Sequence, residues 1–428
     1  MSINDDILSE VADRVGTPAY VYDAKALRNR VAQLRTELPG VDFFYSLKAN
    51  PNVTIVGLVT EQGMGAEVCS LFEIEASIAA GVAPEKIIFV GPAKSEAELT
   101  RAMTLGIKAI IAESLQELHR IAEIAARMGI CQDIGLRINP IFHTPGARLS
   151  MSGKPTQFGI DETELAAALQ IVGRFKSLRL AGMHVYMGTR ILSHNVVVKN
   201  TRAILELAEQ VTQLAGHPLD FVDIGGGFGV AYSSRETDLD LPALGAAMRP
   251  LLRTARARLP RTKIVIELGR YIVAEAGVFV TRVRYTKASK GTQFAICDGG
   301  SNCHTAAGQA AMFRNNFPVS RVGPETGASE VWTITGPLCT PTDTIGHQVT
   351  IAGLELGDLI RIDRSGAYGA SASPVNFLSF GAPVEALVDD DKVSVIRERA
   401  NLADYLTQQV QRPIEMQKIQ EARLKETI

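Results

Sequence analysis

The sequence predicts an α/β protein built from a (β/α)8 TIM barrel and a C-terminal, mostly β domain. Eight short apolar runs alternate with stretches of helical periodicity, a pattern typical of a closed barrel of about 250 residues. An open, doubly wound sheet is the alternative. Beyond Gly277 the pattern changes to short strand-like runs separated by Gly, Pro, Ser and Asp turns. We therefore place the domain boundary near residue 275.

The predicted barrel comprises residues 24–275. A strand at 18–23 precedes it, and a helix at 24–38 opens it. Buried strands and helices then alternate. The predicted strands are 43–47, 65–69, 87–90, 109–112, 134–138, 180–186, 221–224 and 264–267, and helical periodicity is clear at 72–80, 115–128 and 200–215.

The predicted second domain combines both chain ends, residues 1–23 and 276–428. Its strand-like runs are 278–285, 294–297, 331–335, 359–362 and 384–388. Because the strand at 18–23 precedes the barrel, it is free to join this second sheet. The last ~25 residues, rich in Gln, Glu, Lys and Arg, indicate a solvated helix or tail.

Composition favours small-molecule chemistry in the cytoplasm. The 428 residues are 46% hydrophobic and 21% charged, with a net charge of -2, so no basic field attracts nucleic acid or anionic membrane. The sequence contains no secretory h-region and no apolar run near the ~20 residues of a membrane span. Five scattered cysteines without a CxxC pair argue against disulfides and zinc, and each is expected to be a small buried apolar residue.

Lys48 is the first candidate for chemistry. The aromatic run at 43–47 reads as a buried strand that ends at this lysine, and Asn50-Pro51 then forces a turn. An ammonium there is costly to desolvate unless it is paired, and lysines so held tend to lose their proton and become nucleophiles. The alternative is a surface lysine whose stem packs on apolar neighbours.

Polar residues also follow the other predicted strands. In an α/β barrel the active site lies at the C-terminal ends of the strands. The residues found there are Lys48, Glu67, Ser70, Arg137, His184, Tyr186, Thr189, the glycines of 225–229, Glu267, Gly269 and Arg270. These side chains are expected to converge at one mouth.

The glycine run at 225–229 predicts an anion site. A dinucleotide loop would open directly into a helix, whereas Val230 to Ser234 give no helix start. Glycine amides make an anion cradle, and barrels favour phosphate sites after strands seven and eight, where Gly269-Arg270 also lie. A phosphate at one end and a lysine at the other indicate pyridoxal 5'-phosphate. The alternative is that the glycines only permit tight turns.

Five motifs in order resemble the fold-type III enzymes that use pyridoxal phosphate, in the diaminopimelate/ornithine decarboxylase family. The resemblance covers about residues 18–388 and implies a barrel of the alanine racemase type. Within the family, the sequence most resembles enzymes of specialised metabolism that act on a glutamyl carrier protein. The residues that carry this closer resemblance are His-Val-Tyr at 184–186 and Cys-Thr-Pro at 339–341. The motifs are YSLKAN at 45–50, DIGGGFG at 223–229, ELGRY at 267–271, GPLC at 336–339 and GAYG at 366–369.

The resemblance implies a role for each site residue. Lys48 holds the cofactor covalently, and Glu267 pairs with its ring nitrogen. Cys339, from the partner subunit of a head-to-tail homodimer, returns a proton to Cα, and Asp343 faces the substrate together with Arg270. The phosphate is held by Gly225, Gly226, Gly227, Gly269, Arg270, Tyr368 and Thr189, and the remaining cofactor residues are Glu67, Arg137, His184 and Tyr186.

Two departures from the family concern the ring and the substrate. Tyr186 stands where the family has a stacking histidine, and His184 lies on the same face of the strand, where it is placed to share that role. The family's Arg-Pro-x-Leu-Tyr segment is missing after 298–300, and Thr340 replaces the acidic residue that follows Cys339. A carboxylate that matches a distal amine is therefore missing at its usual place.

These departures predict α-decarboxylation of a derivatised amino acid, either tethered to a carrier protein as a glutamyl thioester or acylated by citrate as in siderophore assembly. The alternatives are decarboxylation of a free amino acid such as diaminopimelate, an amino-acid racemase, a regulator that lacks the cofactor, and an NAD-dependent oxidoreductase. Glu267 argues against the racemase, in which an arginine meets the ring nitrogen. No metal site is expected, since Cys303-His304 lacks a second pair of ligands.

Overall fold

A computed structural model describes residues 3–142, 149–150, 152–305, 316–390, 392–407 and 409. Eight parallel strands close into a barrel, because the strand Ala109–Ala112 pairs with both Ile87–Phe89 and Gln132–Asn139. The barrel strands are Asp42–Ser46, Gly65–Val68, Ile87–Phe89, Ala109–Ala112, Gln132–Asn139, Leu178–His184, Phe221–Gly226 and Lys263–Leu268. The predicted (β/α)8 barrel is confirmed, and the open doubly wound sheet is excluded.

Helices surround the barrel and cover its apolar outer face. Several begin at a serine whose side chain accepts the amide proton three residues on, such as Ser70, Ser95 and Ser114. The barrel helices are Ala24–Glu37, Val53–Glu61, Leu71–Ala79, Glu96–Leu105, Leu115–Met128, Leu165–Arg174, His194–Ala215, Leu241–Arg258 and Arg270–Val273, and the others are Asp5–Val15, Ser301–His304, Gly369–Ala372 and Leu402–Thr407.

The inside of the barrel is packed solid at its centre. Phe221 is fully buried, and its ring lies where two neighbouring strands carry glycine, at Gly135 and Gly182. A Cβ at Gly182 would lie 2.6 Å from that ring. Large and small residues thus alternate across the barrel, which leaves the open end of the strands as the place for a site.

The second sheet has nine strands from both ends of the chain. Ala19–Asp23 lies between Gly277–Ser289, to which it is antiparallel, and Val384–Asp389, to which it is parallel. The expected use of the N-terminal strand in this sheet is confirmed. The other strands are Thr292–Cys297, Val319–Arg321, Ser329–Thr335, Thr344–Ala352, Leu359–Ile362 and Lys392–Arg397; the short strands Leu149–Ser150, Gly188–Thr189 and Ile160–Asp161 lie outside it.

Some expectations need correction. The strand predicted to run to Tyr186 ends at His184, so Tyr186 lies beyond it. Cys69, Cys131 and Cys339 lie in connecting segments and are exposed rather than buried, whereas Cys297 in a strand and Cys303 in a short helix are buried. The expected C-terminal tail lies almost wholly outside the described residues. Within those residues, the helices are too short or too polar to cross a lipid bilayer.

Candidate active site

Lys48 lies in a short 3-10 turn at Leu47–Ala49, directly after its strand. Its Nζ atom is 3.1 Å from Oε1 of Glu67, and 40% of the side chain is exposed at the barrel mouth. Desolvation lowers the pKa of Lys48, but Glu67, with smaller contributions from Cys69, Tyr186 and Glu267, raises it, and the sum places the pKa well above its usual value. This differs from the expectation that the lysine loses its proton, because a carboxylate faces the amine.

Glu67 and its neighbours form one wall of the mouth. Glu67 is 1% exposed, and the thiol of Cys69 lies 3.4 Å from its Oε1 atom. Glu73 accepts the amide proton of Cys69, and burial raises the pKa of Glu73 to about 7. Neither Cys69 nor Glu73 was predicted from the sequence. The position of Cys69 directly after a barrel strand is the signal that locates it.

Glu267, His184 and Asp223 lie together inside the mouth. Nε2 of His184 is 3.4 Å from Oε2 of Glu267, and one ligand-type atom from each of the three residues lies within 4.8 Å of the others. Burial raises the pKa of Glu267, but His184, Lys48 and a hydrogen bond with Asp223 lower it, and together they hold this pKa below its usual range. Burial, reinforced by the charge of Glu267, raises the pKa of Asp223 well above its usual value. The sequence did not predict Asp223 as a site residue.

The glycine loop follows the strand that carries Asp223. Gly225 and Gly227 have φ of 66° and 78°, a conformation that favours glycine. A Cβ at Gly226 would lie 1.7 Å from the carbonyl oxygen of Glu267, and one at Gly227 would lie 1.9 Å from that of Gly188. The loop therefore packs tightly between the strand of Glu267 and the segment of Thr189.

Arg270 and Tyr368 are adjacent on the other side of the mouth. Nη1 of Arg270 donates to the hydroxyl of Tyr232 at 2.8 Å, and its Cζ lies 4.6 Å from the centroid of the Tyr368 ring. Tyr368 has φ of 65°, and its amide donates to the carbonyl oxygen of Ala49 at 2.7 Å. Tyr368 is thus fixed against the turn that carries Lys48. The sequence did not predict Tyr232.

Gly269 allows the Arg270 segment to approach this same turn. A Cβ at Gly269 would lie 2.7 Å from that of Ala49. Tyr186 also faces the lysine, since Nζ of Lys48 lies 5.6 Å from the centroid of its ring. The structure therefore brings together Lys48, Glu67, Tyr186, His184 and Glu267.

Arg137 is placed differently from a free cofactor ligand. Its guanidinium is buried, pairs with Glu113 at 2.9 Å and lies 4.7 Å from the Phe158 ring centroid. Glu113 also accepts the amide proton of Gly91 at 2.7 Å. These contacts link three strand ends, so within the described residues Arg137 is held by protein groups. Its role toward the cofactor stays a prediction.

Cys339 and Asp343 lie on a turn of the second sheet. Cys339 is exposed. Asp343 is 3% exposed, and its carboxylate accepts the amide protons of Ser301 and Leu338 at 2.6 and 2.7 Å. Asp343 therefore holds the turn within its own chain, and its role toward the substrate stays a prediction. Among the described contacts, none joins this turn to Lys48.

The residues at the mouth fit pyridoxal phosphate. Oε1 of Glu267 and both ring nitrogens of His184 are buried and have no hydrogen-bond partner among the described residues, as expected beside a ring nitrogen. The glycine cradle and Arg270 suit a phosphate, and Lys48 supplies the amine. When bound, the cofactor accepts the electrons left at Cα as a carboxylate departs. Glu267 would hold the proton of its ring nitrogen, and Glu67 holds the Lys48 amine in place.

A closed barrel with a lysine at its mouth, a buried glutamate and a glycine cradle defines the class of pyridoxal-phosphate enzymes. Residues 24–274 match the model of the pyridoxal-dependent decarboxylase family, pyridoxal binding domain. The chain therefore belongs to the pyridoxal-dependent decarboxylases, and it is an amino-acid decarboxylase that uses pyridoxal phosphate.

Individual relatives agree with this assignment. The chain is 37% identical to the L-glutamyl-[BtrI acyl-carrier protein] decarboxylase of Niallia circulans, over 96% of this chain and 98% of that one. It is 30% identical to the diaminopimelate decarboxylase of Aquifex aeolicus, over 94% and 93%. The crystal structure of Helicobacter pylori diaminopimelate decarboxylase with L-lysine matches with a TM-score of 0.85 and 29% identity, over 94% and 98%.

Proposed function

We propose that the protein removes the α-carboxylate of a derivatised amino acid: a glutamyl group tethered to a carrier protein, or a citryl-amino acid. Such a reaction belongs to antibiotic or siderophore biosynthesis. The observation that carries the proposal is that, among the described residues, the carboxylates of Asp343 on the Cys339 turn and of Asp298 are already bound within the chain. A substrate with a free distal ammonium needs a carboxylate partner there.

The contacts of the turn support this argument. Asp343 is bound to two backbone amides, and Asp298 accepts protons from Thr17, Thr281 and the amide of Arg282 at 2.6 to 2.9 Å. The hydroxyl of Thr340 lies 3.0 Å from that of Thr342. The 37% identity with a decarboxylase that acts on glutamyl-acyl-carrier protein supports the tethered substrate.

A panel of substrates with a ¹³C-labelled α-carboxylate tests the proposal. It comprises a glutamyl thioester on a carrier protein, a citryl-amino acid, and free diaminopimelate, ornithine and lysine. Release of labelled CO2 from the tethered or citryl substrates, with little from the free ones, is the expected result. Efficient release from diaminopimelate alone would replace the proposal with the second candidate, which the 30% identity to a diaminopimelate decarboxylase favours. Exchange of the α-proton without CO2 release would identify a racemase.

We also propose a homodimer whose active sites are shared. Cys339 is exposed on the second sheet, and Phe377, Leu378 and Phe380, which follow the Tyr368 segment, are 45 to 48% exposed. Such an apolar patch is typical of a protein interface. Mixing the Lys48→Ala and Cys339→Ala variants would restore about a quarter of wild-type activity if one subunit supplies each residue. No recovery after confirmed subunit exchange would contradict shared sites.

Two further proposals concern organisation and location. We propose that residues 24–275 form the cofactor domain and that 1–23 with 276–428 form the second, supported by the shared sheet of both chain ends. A cytoplasmic location is supported by five unpaired cysteines. Limited proteolysis near residue 275 and cell fractionation test these two statements.

A further inference from the structure

Asp223 is a fully buried carboxylate without an assigned role. It lies across from His184 in the pairing of two adjacent barrel strands, so both side chains point to the same side of the barrel wall. One oxygen, Oδ1, accepts the amide proton of Gly225 at 2.8 Å. The other, Oδ2, has no hydrogen-bond partner among the described residues, and neither does Oε1 of Glu267.

Two carboxylates so close and so deeply buried cannot both be charged. Asp223 and Glu267 are 0% and 3% exposed, and they lie within the 4.8 Å cluster that also contains His184. Repulsion between like charges without water favours one shared proton. The titratable groups around Asp223 are His184, Glu267 and, farther away, Glu67; in the described part of the chain it makes no ion pair with Lys or Arg.

The surroundings decide which of the two carries the proton. His184 lies 3.4 Å from Glu267, and the charge of Lys48 also favours the ionised form of Glu267. Among the described residues, the hydrogen-bond donor to Asp223 is a neutral amide, that of Gly225. We propose that Asp223 is a neutral positioning residue: Oδ1 accepts from Gly225, and the O–H of Oδ2 is directed to Glu267.

This arrangement connects the two ends of the cofactor site. Gly225 begins the glycine loop expected to hold the phosphate, and Glu267 is the carboxylate expected at the ring nitrogen. One side chain then fixes both, and Glu267 keeps a single negative charge for the ring nitrogen. The raised pKa of Asp223 agrees with this assignment. The inference rests on the cofactor and not on the substrate proposed above.

The Asp223→Asn variant distinguishes two states of Asp223, a neutral hydrogen-bond donor and a charged carboxylate. An asparagine keeps both hydrogen bonds, because its oxygen accepts from Gly225 and its NH2 donates to Glu267. The Asn variant should bind pyridoxal phosphate within about threefold of wild type, whereas Asp223→Ala should bind it about ten- to a hundredfold more weakly. Absorbance titration of the cofactor measures both without any substrate. Asp220→Asn, three residues earlier and exposed, is the matched control.

Infrared difference spectra of the purified chain at neutral pH give a second readout. A protonated buried carboxyl has a C=O band that Asp223→Asn should remove and Asp220→Asn should retain. Equal loss of cofactor affinity in the Asn and Ala variants would overturn the proposal. Wild-type affinity in the Ala variant, or the absence of the carboxyl C=O band from the wild-type spectrum, would also overturn it. If the Ala variant fails to fold, the Asn variant and the band decide the question alone.

Discussion

Gly226→Ala tests the close packing that builds the cofactor site. Gly226 ends its strand opposite Glu267 in the parallel pairing. A Cβ there would lie 1.7 Å from the Glu267 carbonyl oxygen, whereas real Cβ atoms stay at least 3.0 Å from such atoms, so the strands must separate by 1.3 Å, the difference of the two distances. The two nearest atoms, the carbonyl oxygen and carbon of Glu267, belong to the backbone, so no side-chain rotation relieves the clash.

The displacement changes the position of Glu267 relative to the glycine loop. A misplacement of about 1 Å at a reacting centre costs on the order of a hundredfold in rate. Overpacking a tight interior also destabilises a fold by about 1–3 kcal/mol. We therefore expect a large loss of turnover, weaker cofactor binding and a lower midpoint of urea unfolding.

Three measurements with one control check this prediction: absorbance titration of pyridoxal phosphate, CO2 release and urea unfolding. Gly173→Ala is the control, because Gly173 lies in the helix Leu165–Arg174 and an added Cβ meets nothing within 4 Å. It should leave activity unchanged. If Gly226→Ala binds the cofactor and turns over within threefold of wild type, the reasoning from close strand approach is refuted.

Three further predictions concern single residues. After borohydride treatment, the measured mass of the Lys48→Ala protein should contain no added cofactor. An added cofactor mass would contradict the role assigned to Lys48. Cys339→Ala should slow turnover by about 10²–10⁴-fold with cofactor affinity unchanged; unaltered kinetics would exclude it as the acid. Burial lowers the pKa of His304 to about 4. Between pH 6.5 and 4, His304 is therefore protonated in the unfolded chain but neutral in the folded chain, so the free energy of unfolding falls as pH falls. Relative to His304→Asn, wild type should lose about 2–3 kcal/mol between pH 7.5 and 4.5; parallel pH profiles of urea unfolding would contradict this.

The sequence predicts the barrel well because parallel strands buried on both faces appear as short apolar runs. All eight runs coincide with strands, and their ends differ by at most a few residues. The end of the strand Leu178–His184 shows why such differences matter. Alternation placed Tyr186 within a strand beside His184, but Tyr186 lies in the segment after it and faces Lys48 instead.

The site is predicted less completely, because contacts between strands are not local in sequence. Residue type at a strand end identified Lys48 and Glu267. It did not identify Asp223, although a carboxylate between Val222 and Ile224 is costly to bury alone and therefore signals a partner. One of the two amides that donate to Asp343 belongs to Ser301, which lies 42 residues away at the start of a short helix, and no sequence pattern predicts that contact.

Groups of opposite charge line the mouth, and we expect them to orient the cofactor. The Arg270 guanidinium contacts Tyr232 and Tyr368, whereas Glu267 and Asp223 cluster with His184. A phosphate dianion would be repelled from the carboxylates and attracted to the guanidinium, which would favour the orientation that places the ring nitrogen beside Glu267. The proton that we assign to Asp223 keeps the charge of the carboxylate end at one unit. A second charge there would repel that of Glu267, and the ammonium of Lys48 is already paired with Glu67.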